Sequence, residues 1–168
     1  MTLEIHPSLV ELRSKVDDFM VRVQSQYPRD MACQAGCSSC CQGGLSAFPV
    51  EAGPMMAAVE SLPRELRDVV RKQSEDAAHC PFLVDENCVI YDQRPVICRT
   101  QGLPLLLEDG SVDSCPLNFT KAGQRDALPH EDVLNLKSLN FLLSMLHSVH
   151  VRQSGQADRR ISFSEIAG

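Results

Sequence analysis

The chain has 168 residues, 43% hydrophobic and 23% charged, enough for one globular domain over residues 1–168 with a core of its own. A formal charge of -6 and a pI near 5.3 exclude a sequence-independent nucleic-acid binder, which needs a positive field along the phosphates, so no nucleic-acid partner is expected. No run approaches the roughly 18 apolar residues of a membrane span, so no membrane partner is expected either.

The first element is an amphipathic helix over about 7–27. Leu9, Leu12, Val16, Phe19, Met20 and Val23 fall at helical spacing, with Pro7 near the start and Pro28 after the end. The segment "MTLEIHPSLVELRSKV" carries charges where the apolar core of a secretion signal would lie, so a cytoplasmic location is expected. After the stretch "MACQAGCSSCCQGG", "SAFPVEAGPMMAAVESLP" and "PRELRDVVRKQSEDAA" read as two helices divided near Pro63, with Gly53-Pro54 as a point of interruption in the first. They are expected to form a helical hairpin that returns the chain to Cys80.

"CPFLVDENCVIYDQRPVICRTQG" then places a turn at Asp85 to Asn87 between short apolar runs, which predicts a small β-hairpin. Arg94-Pro95 opens a short helical turn carrying Cys98. "LPLLLEDGSVDSCP" predicts a second hairpin with Asp109-Gly110 as its turn. A long helix is expected over about 129–152, opened by acidic residues and presenting Val133, Leu136, Leu139, Leu143 and Leu146 on one side. The tail "SGQADRRISFSEIAG" reads as a loop with a short strand or an unsettled end. The fold class is mainly α with small β-hairpins (α+β), a single metal-templated unit with long helices at both ends.

The chemistry is concentrated in eight cysteines, Cys33, Cys37, Cys40, Cys41, Cys80, Cys88, Cys98 and Cys115, all in the segment 33–115 and none in the terminal helices. Cysteine used only as a small apolar residue would be scattered through the core positions of those helices as well. Thiols stay reduced in the cytoplasm, so metal ligation or redox chemistry outranks a disulfide framework. A nucleophilic thiol needs a partner base, and the five histidines single none out.

Spacing constrains the first group. If residues 33–41 were a straight helix, all four thiols would share a face, but Cys33 and Cys41 would stand about 12 Å apart along the axis. Thiolate sulfurs on one zinc lie only about 3.8 Å apart. Two solutions stay open. Either Gly36 bends the chain around one centre, or the four thiols serve different centres, with adjacent Cys40 and Cys41 diverging by about 100 degrees. Cys80, Cys88, Cys98 and Cys115 lie beside turns, as ligands converging from hairpins would. His79 next to Cys80 and the pair His147 and His150 are further candidate ligands or proton donors. Eight thiolates outweigh the charge of two zinc ions, and Arg94, Arg99 and Lys121 are candidate cations to offset them.

"CQAGCSSCC" followed by "CPFLVDENCVIYDQRPVICR" resembles the YkgJ-type cysteine-cluster proteins, a family of zinc- or iron-chelating domains marked by a CxxxCxxCC pattern and a second block of CPFL, C-x-I-Y, RP and CR. The resemblance covers about Cys33 to Cys115. It implies a cysteine-bound metal centre, zinc or iron-sulfur, carried by Cys33, Cys37, Cys40, Cys41, Cys80, Cys88 and Cys98. Cys115 joins them as the residue that completes an even set.

Four function classes follow. The first is a metal-binding protein with a structural or metal-handling role, for which zinc is the plain candidate. The second is an iron-sulfur oxidoreductase or electron-transfer protein with a redox partner of unknown identity. A radical enzyme shares the CxxxCxxC spacing of "CQAGCSSC", but the chain is short for the barrel such enzymes use and lacks alternating strands and helices. An interaction module templated by metal is the fourth.

Overall fold

The first long helix, α1, spans Pro7–Gln26 with Pro7 in its first turn, where a missing N–H costs nothing. Its buried stripe, Leu9, Leu12, Val16 and Val23, recurs at the spacing of one helical face. Each of these side chains contributes roughly 1.5–3 kcal/mol by leaving water. The computed structural model describes residues 5–34, 36–76 and 78–168.

Beyond the cysteine-rich stretch come β1 (Ser46–Ala47), α2 (Pro49–Glu60) and α3 (Arg64–Gln73). The helix read from Ser46 therefore starts at Pro49, because residues 46 and 47 are drawn into a strand. Gly53-Pro54 does not divide it: Pro54 is buried inside an unbroken α2. The expected hairpin of α2 on α3 is modified as well. α3 packs on a short C-terminal helix, α6 (Phe163–Ala167), and α2 packs on α6 and more extensively on the long helix α5 (Leu136–Ser154), rather than the two packing mainly on each other.

The next segment is a hairpin of β2 (Leu83–Val84) and β3 (Asn87–Cys88), with Leu83 opposite Cys88. Asp85 and Glu86 both adopt positive φ, the two-residue turn whose twist matches its strands. A single 3-10 turn at Tyr91–Gln93 leads to α4 (Val96–Arg99), which carries Cys98. The second hairpin pairs β4 (Leu105–Leu106) with β5 (Val112–Asp113). β4 also pairs in parallel with β6 (Leu134–Asn135), which makes a three-stranded sheet.

The C-terminal helix, α5, spans Leu136–Ser154 and so begins seven residues later than the expected 129. Pro129 instead precedes a 3-10 turn, and β6 follows it. The cause is Asp132. It reads as a helix-opening acid, but its carboxylate is fully buried against α1 and accepts from Arg22 Nη1 at 2.5 Å, Gln26 Nε2 at 2.8 Å and the Tyr27 hydroxyl at 2.7 Å. The hydrogen bond to Asp132, with burial and the charge beside it, pushes the Tyr27 phenol up to about 12. Asn135 then caps α5 by accepting from Ser138 N, and Gly155 at φ +68 ends it.

The tail is neither loose nor peripheral. β7 (Ile161–Ser162) pairs antiparallel with β1, and Phe163, Ile166 and Ala167 of α6 are buried. They join Met55, Val59, Val70, Phe82 and Ile90 in one apolar cluster, against which Cys41, Cys88 and Cys98 pack and which includes Cys80. A second cluster gathers α1 and α5 around Leu103 and Phe119.

Candidate metal centre

None of the described residues 33–34 and 36–41 is helical. Cys37 N donates to Gln34 O at 3.0 Å and Cys41 N to Ser38 O at 2.8 Å, so the segment is two turns in succession. Gly36 lies in this segment at φ +83, a conformation that suits glycine and that an L side chain resists. The end of the block is tied to the start of the second one. Gln42 bridges His79 in an isolated antiparallel pair, and Gly43 N donates to Ala78 O at 3.1 Å. That link sets Cys40 and Cys41 beside Cys80.

The eight thiols are all free and fall into two neighbourhoods. Burial pushes the Cys33 thiol up, a hydrogen bond from Asn118 works against that shift, and the thiols acting on it are Cys115, Cys37 and Cys40. Around Cys41 the set is different: Cys40 by hydrogen bond, then Cys80, Cys88 and Cys98 by charge. The two neighbourhoods overlap at Cys40, whose charge acts on Cys33 and also on Cys80 and Cys98.

Proton sharing with Cys41, followed by burial and the charge of Cys41, raises Cys40, whereas the same hydrogen bond lowers Cys41. Burial raises Cys80 and Cys88, and it pushes Cys98 up to about 12, with the charges of Cys80 and Cys88 adding to the effect. Clustered buried thiols hold one another neutral, and a cation among them reverses that balance. Among the described residues, no three cysteine, histidine, aspartate or glutamate side chains already stand at the separation one metal ion requires.

Several elements position these side chains. Cys98 rides on α4, whose first turn is held by the buried carboxylate of Glu51, with Oε1 accepting from Val96 N at 2.7 Å. Cys88 is fixed by its pairing with Leu83, and Leu83 N in turn donates to Cys80 O at 3.2 Å. Cys33 and Cys115 meet through Asn118, a residue the sequence does not flag. Its Nδ2 lies 3.3 Å from Cys33 Sγ and donates to Gly102 O at 2.7 Å, and its Oδ1 accepts from Ala32 N at 2.7 Å. Asn118 N itself bonds Cys115 O at 2.8 Å. Gly102 is part of the same seat, since a Cβ there would stand 2.3 Å from Cys33 Sγ. The only sequence trace of this arrangement is an asparagine three residues after Cys115, a pattern too short to stand out.

The other candidates sit elsewhere. His79 is exposed and contacts Asp76 Oδ2 at 2.8 Å through Nδ1. His147 is buried, stacked on Phe48 and 2.8 Å from Asp158, whereas His150 pairs with Gln156, so the two do not converge on one ligand. Lys121 pairs with Asp30 at 3.3 Å, and Arg99 with Asp17. Arg94 stacks on the Tyr91 ring and is the cation whose charge reaches Cys40, Cys88 and Cys98.

A cavity of about 800 Å³ lies between α1 and this cluster, and Cys33, Cys37, Cys40 and Cys98 line it together with Arg13 and Arg94. The donor set suits a soft metal: eight reduced thiols, gathered and mutually repelling once ionised, with a cation alongside.

A family model named CxxCxxCC and described as "Putative zinc- or iron-chelating domain" matches residues 32–116, half of the chain. The first interval here, from Cys33 to Cys37, is one residue longer than that name spells out. No curated protein and no solved structure matches the chain.

Proposed function

The chain belongs to the CxxCxxCC family of zinc- or iron-chelating domains, and from that premise we propose that its eight thiols act as two adjoining metal-holding groups with a structural or metal-handling role. Cys33, Cys37, Cys40 and Cys115 form one group, and Cys41, Cys80, Cys88 and Cys98 the other. The observation that supports this reading is the Cys40-Cys41 turn: Cys41 lies among Cys80, Cys88 and Cys98, whereas the charge of Cys40 reaches Cys33 as well as Cys80 and Cys98, so the two groups adjoin at Cys40. Four thiolates satisfy either a tetrahedral zinc or an iron-sulfur cluster.

Zinc supplies folding free energy at such a site, and a cluster supplies an electron-transfer couple. The protein's own part is to bring the two blocks together, through the Gln42 and His79 bridge, and to neutralise thiolate charge with Arg94. The thiols are gathered but not closed, so binding draws the turns inward, as in domains whose metal affinity is folding free energy. The single unit over 1–168 is then templated by its metal.

One observation favours the second reading, an iron-sulfur oxidoreductase or electron-transfer protein. The cavity reaches thiols of both groups, which gives a small molecule or a partner access to the centre.

The test is metal content in Cys33→Ser, in Cys80→Ser and in the double variant. Each single change is expected to remove about half of the bound metal, and the double nearly all. Complete loss in either single variant would make one shared centre the better account. Full metal content in both would remove them from the ligand set.

A further inference from the structure

The cavity beside the thiols has a side the metal does not use. Its wall on α1 carries Arg13, which is only 5% exposed. Arg13 Nη1 donates to Gln93 Oε1 at 3.1 Å, but Nε and Nη2 are buried and have no hydrogen-bond partner among the described residues. A buried guanidinium with unmet donors is costly, and the cost points to an acceptor that arrives from outside.

The charges acting on Arg13 are those of Glu51, Arg99 and Asp17, and no cysteine is among them. Glu51 is occupied by Val96 N, and Asp17 by Arg99. Compensation of the thiols therefore falls to Arg94, and among the described residues Arg13 has Gln93 as its hydrogen-bond partner and no ion pair. Arg94 has Nε on Tyr91 O at 3.0 Å, and none of the ion pairs among the described residues involves it. Arg13, Arg94 and Arg99 face Asp17 and Asp92 around the cavity, one arginine in excess.

We propose that this cavity binds a small oxyanion, a carboxylate or a phosphate group, between Arg94 beside the thiols and Arg13 on α1. A guanidinium suits that role because its planar fork matches two oxygens at once. Arg13 Nε and Nη2 are buried, so engaging them takes a rotation of the guanidinium toward the anion. At about 800 Å³ the space exceeds a bare ion, and the exposed side chains of Val10, Val21 and Tyr91 give it an apolar rim. The ligand is thus a small organic acid or phosphate ester with an apolar part, held next to the metal centre.

The inference rests on the metal reading in one respect: metal must neutralise the thiols that line the cavity. The experiment is calorimetric titration of metal-loaded protein with inorganic phosphate and, separately, with succinate, at constant ionic strength and with metal measured in each sample. Saturable one-site binding of at least one anion is expected, and the preferred anion identifies the head group. Arg13→Met and Arg94→Gln are each expected to weaken it about 10- to 100-fold. Gln101→Glu adds a repelling charge to the cavity wall without emptying the interior, and about a tenfold loss is expected there even if Arg13→Met fails to fold. Fully metal-loaded protein that binds neither anion, or binding unchanged in Arg94→Gln and Gln101→Glu, would overturn the oxyanion site alone. A wild-type chain that takes up no metal would overturn the metal reading instead.

Discussion

Gly102→Ala tests how the first thiol group is seated. A Cβ at residue 102 would lie 2.3 Å from Cys33 Sγ and 3.1 Å from Asn118 Nδ2, and the backbone there has φ +91. Placing a side chain in that left-handed region costs about 1–2 kcal/mol. Pushing Cys33 and Asn118 aside in a packed site adds about 1–3 kcal/mol. The sum, about 2–5 kcal/mol, corresponds to a Tm fall of roughly 4–20 °C for a chain of this size. Gly53→Ala is the internal control, because it sits within α2 with nothing inside 4 Å of its Cβ. It is expected to gain about 0.5–1 kcal/mol. The assay is thermal unfolding of the metal-loaded proteins followed by metal analysis, with Gly102→Ala also losing about half of its metal if two groups exist. A Gly102→Ala protein with wild-type Tm and full metal content would refute the seat against Cys33.

Phe163→Ala is expected to cost about 3–5 kcal/mol, since the ring is 3% exposed and packs against Phe82 at 5.5 Å between centroids; urea unfolding that shows no change would return the tail to the periphery. The pH dependence of stability has opposite signs with and without metal. In the metal-free chain Cys33, Cys80, Cys88 and Cys98 have folded pKa values raised above the ordinary 9.0, with Cys98 at about 12. Their contribution is present below pH 9 and is lost as pH rises toward 12. In the loaded protein protons compete with metal, so stability falls with acid instead. Parallel thermal scans across pH 6 to about 11, within the reach of these pKa values, check both slopes, and identical slopes would contradict metal binding by these thiols.

The helices and small hairpins were legible in the sequence, whereas the contacts between distant segments were not. Eight cysteines confined to one segment, and the divergence demanded of adjacent Cys40 and Cys41, are visible as spacing alone. The hairpin at Asp85-Glu86 and the helical turn bearing Cys98 also followed from local signals. Asn118 and Arg13 were invisible for a physical reason. A polar residue that will be buried looks like any solvated one until distant residues meet it, Ala32, Cys33 and Gly102 for Asn118 and Gln93 for Arg13. Asp132 misled for the same reason, because a carboxylate suited to a helix start is captured by Arg22, Gln26 and Tyr27 across the fold. The strands at Ser46–Ala47 and Ile161–Ser162 are two residues each, too short to show a period, so the docking of the tail was not legible.

The most direct test of the account is elemental analysis of protein purified without oxygen, reporting zinc, iron and acid-labile sulfide per chain. The account predicts metal held by the thiols: about two zinc ions without iron, or iron with matching sulfide. A folded chain with no bound metal and eight freely titratable thiols would contradict it.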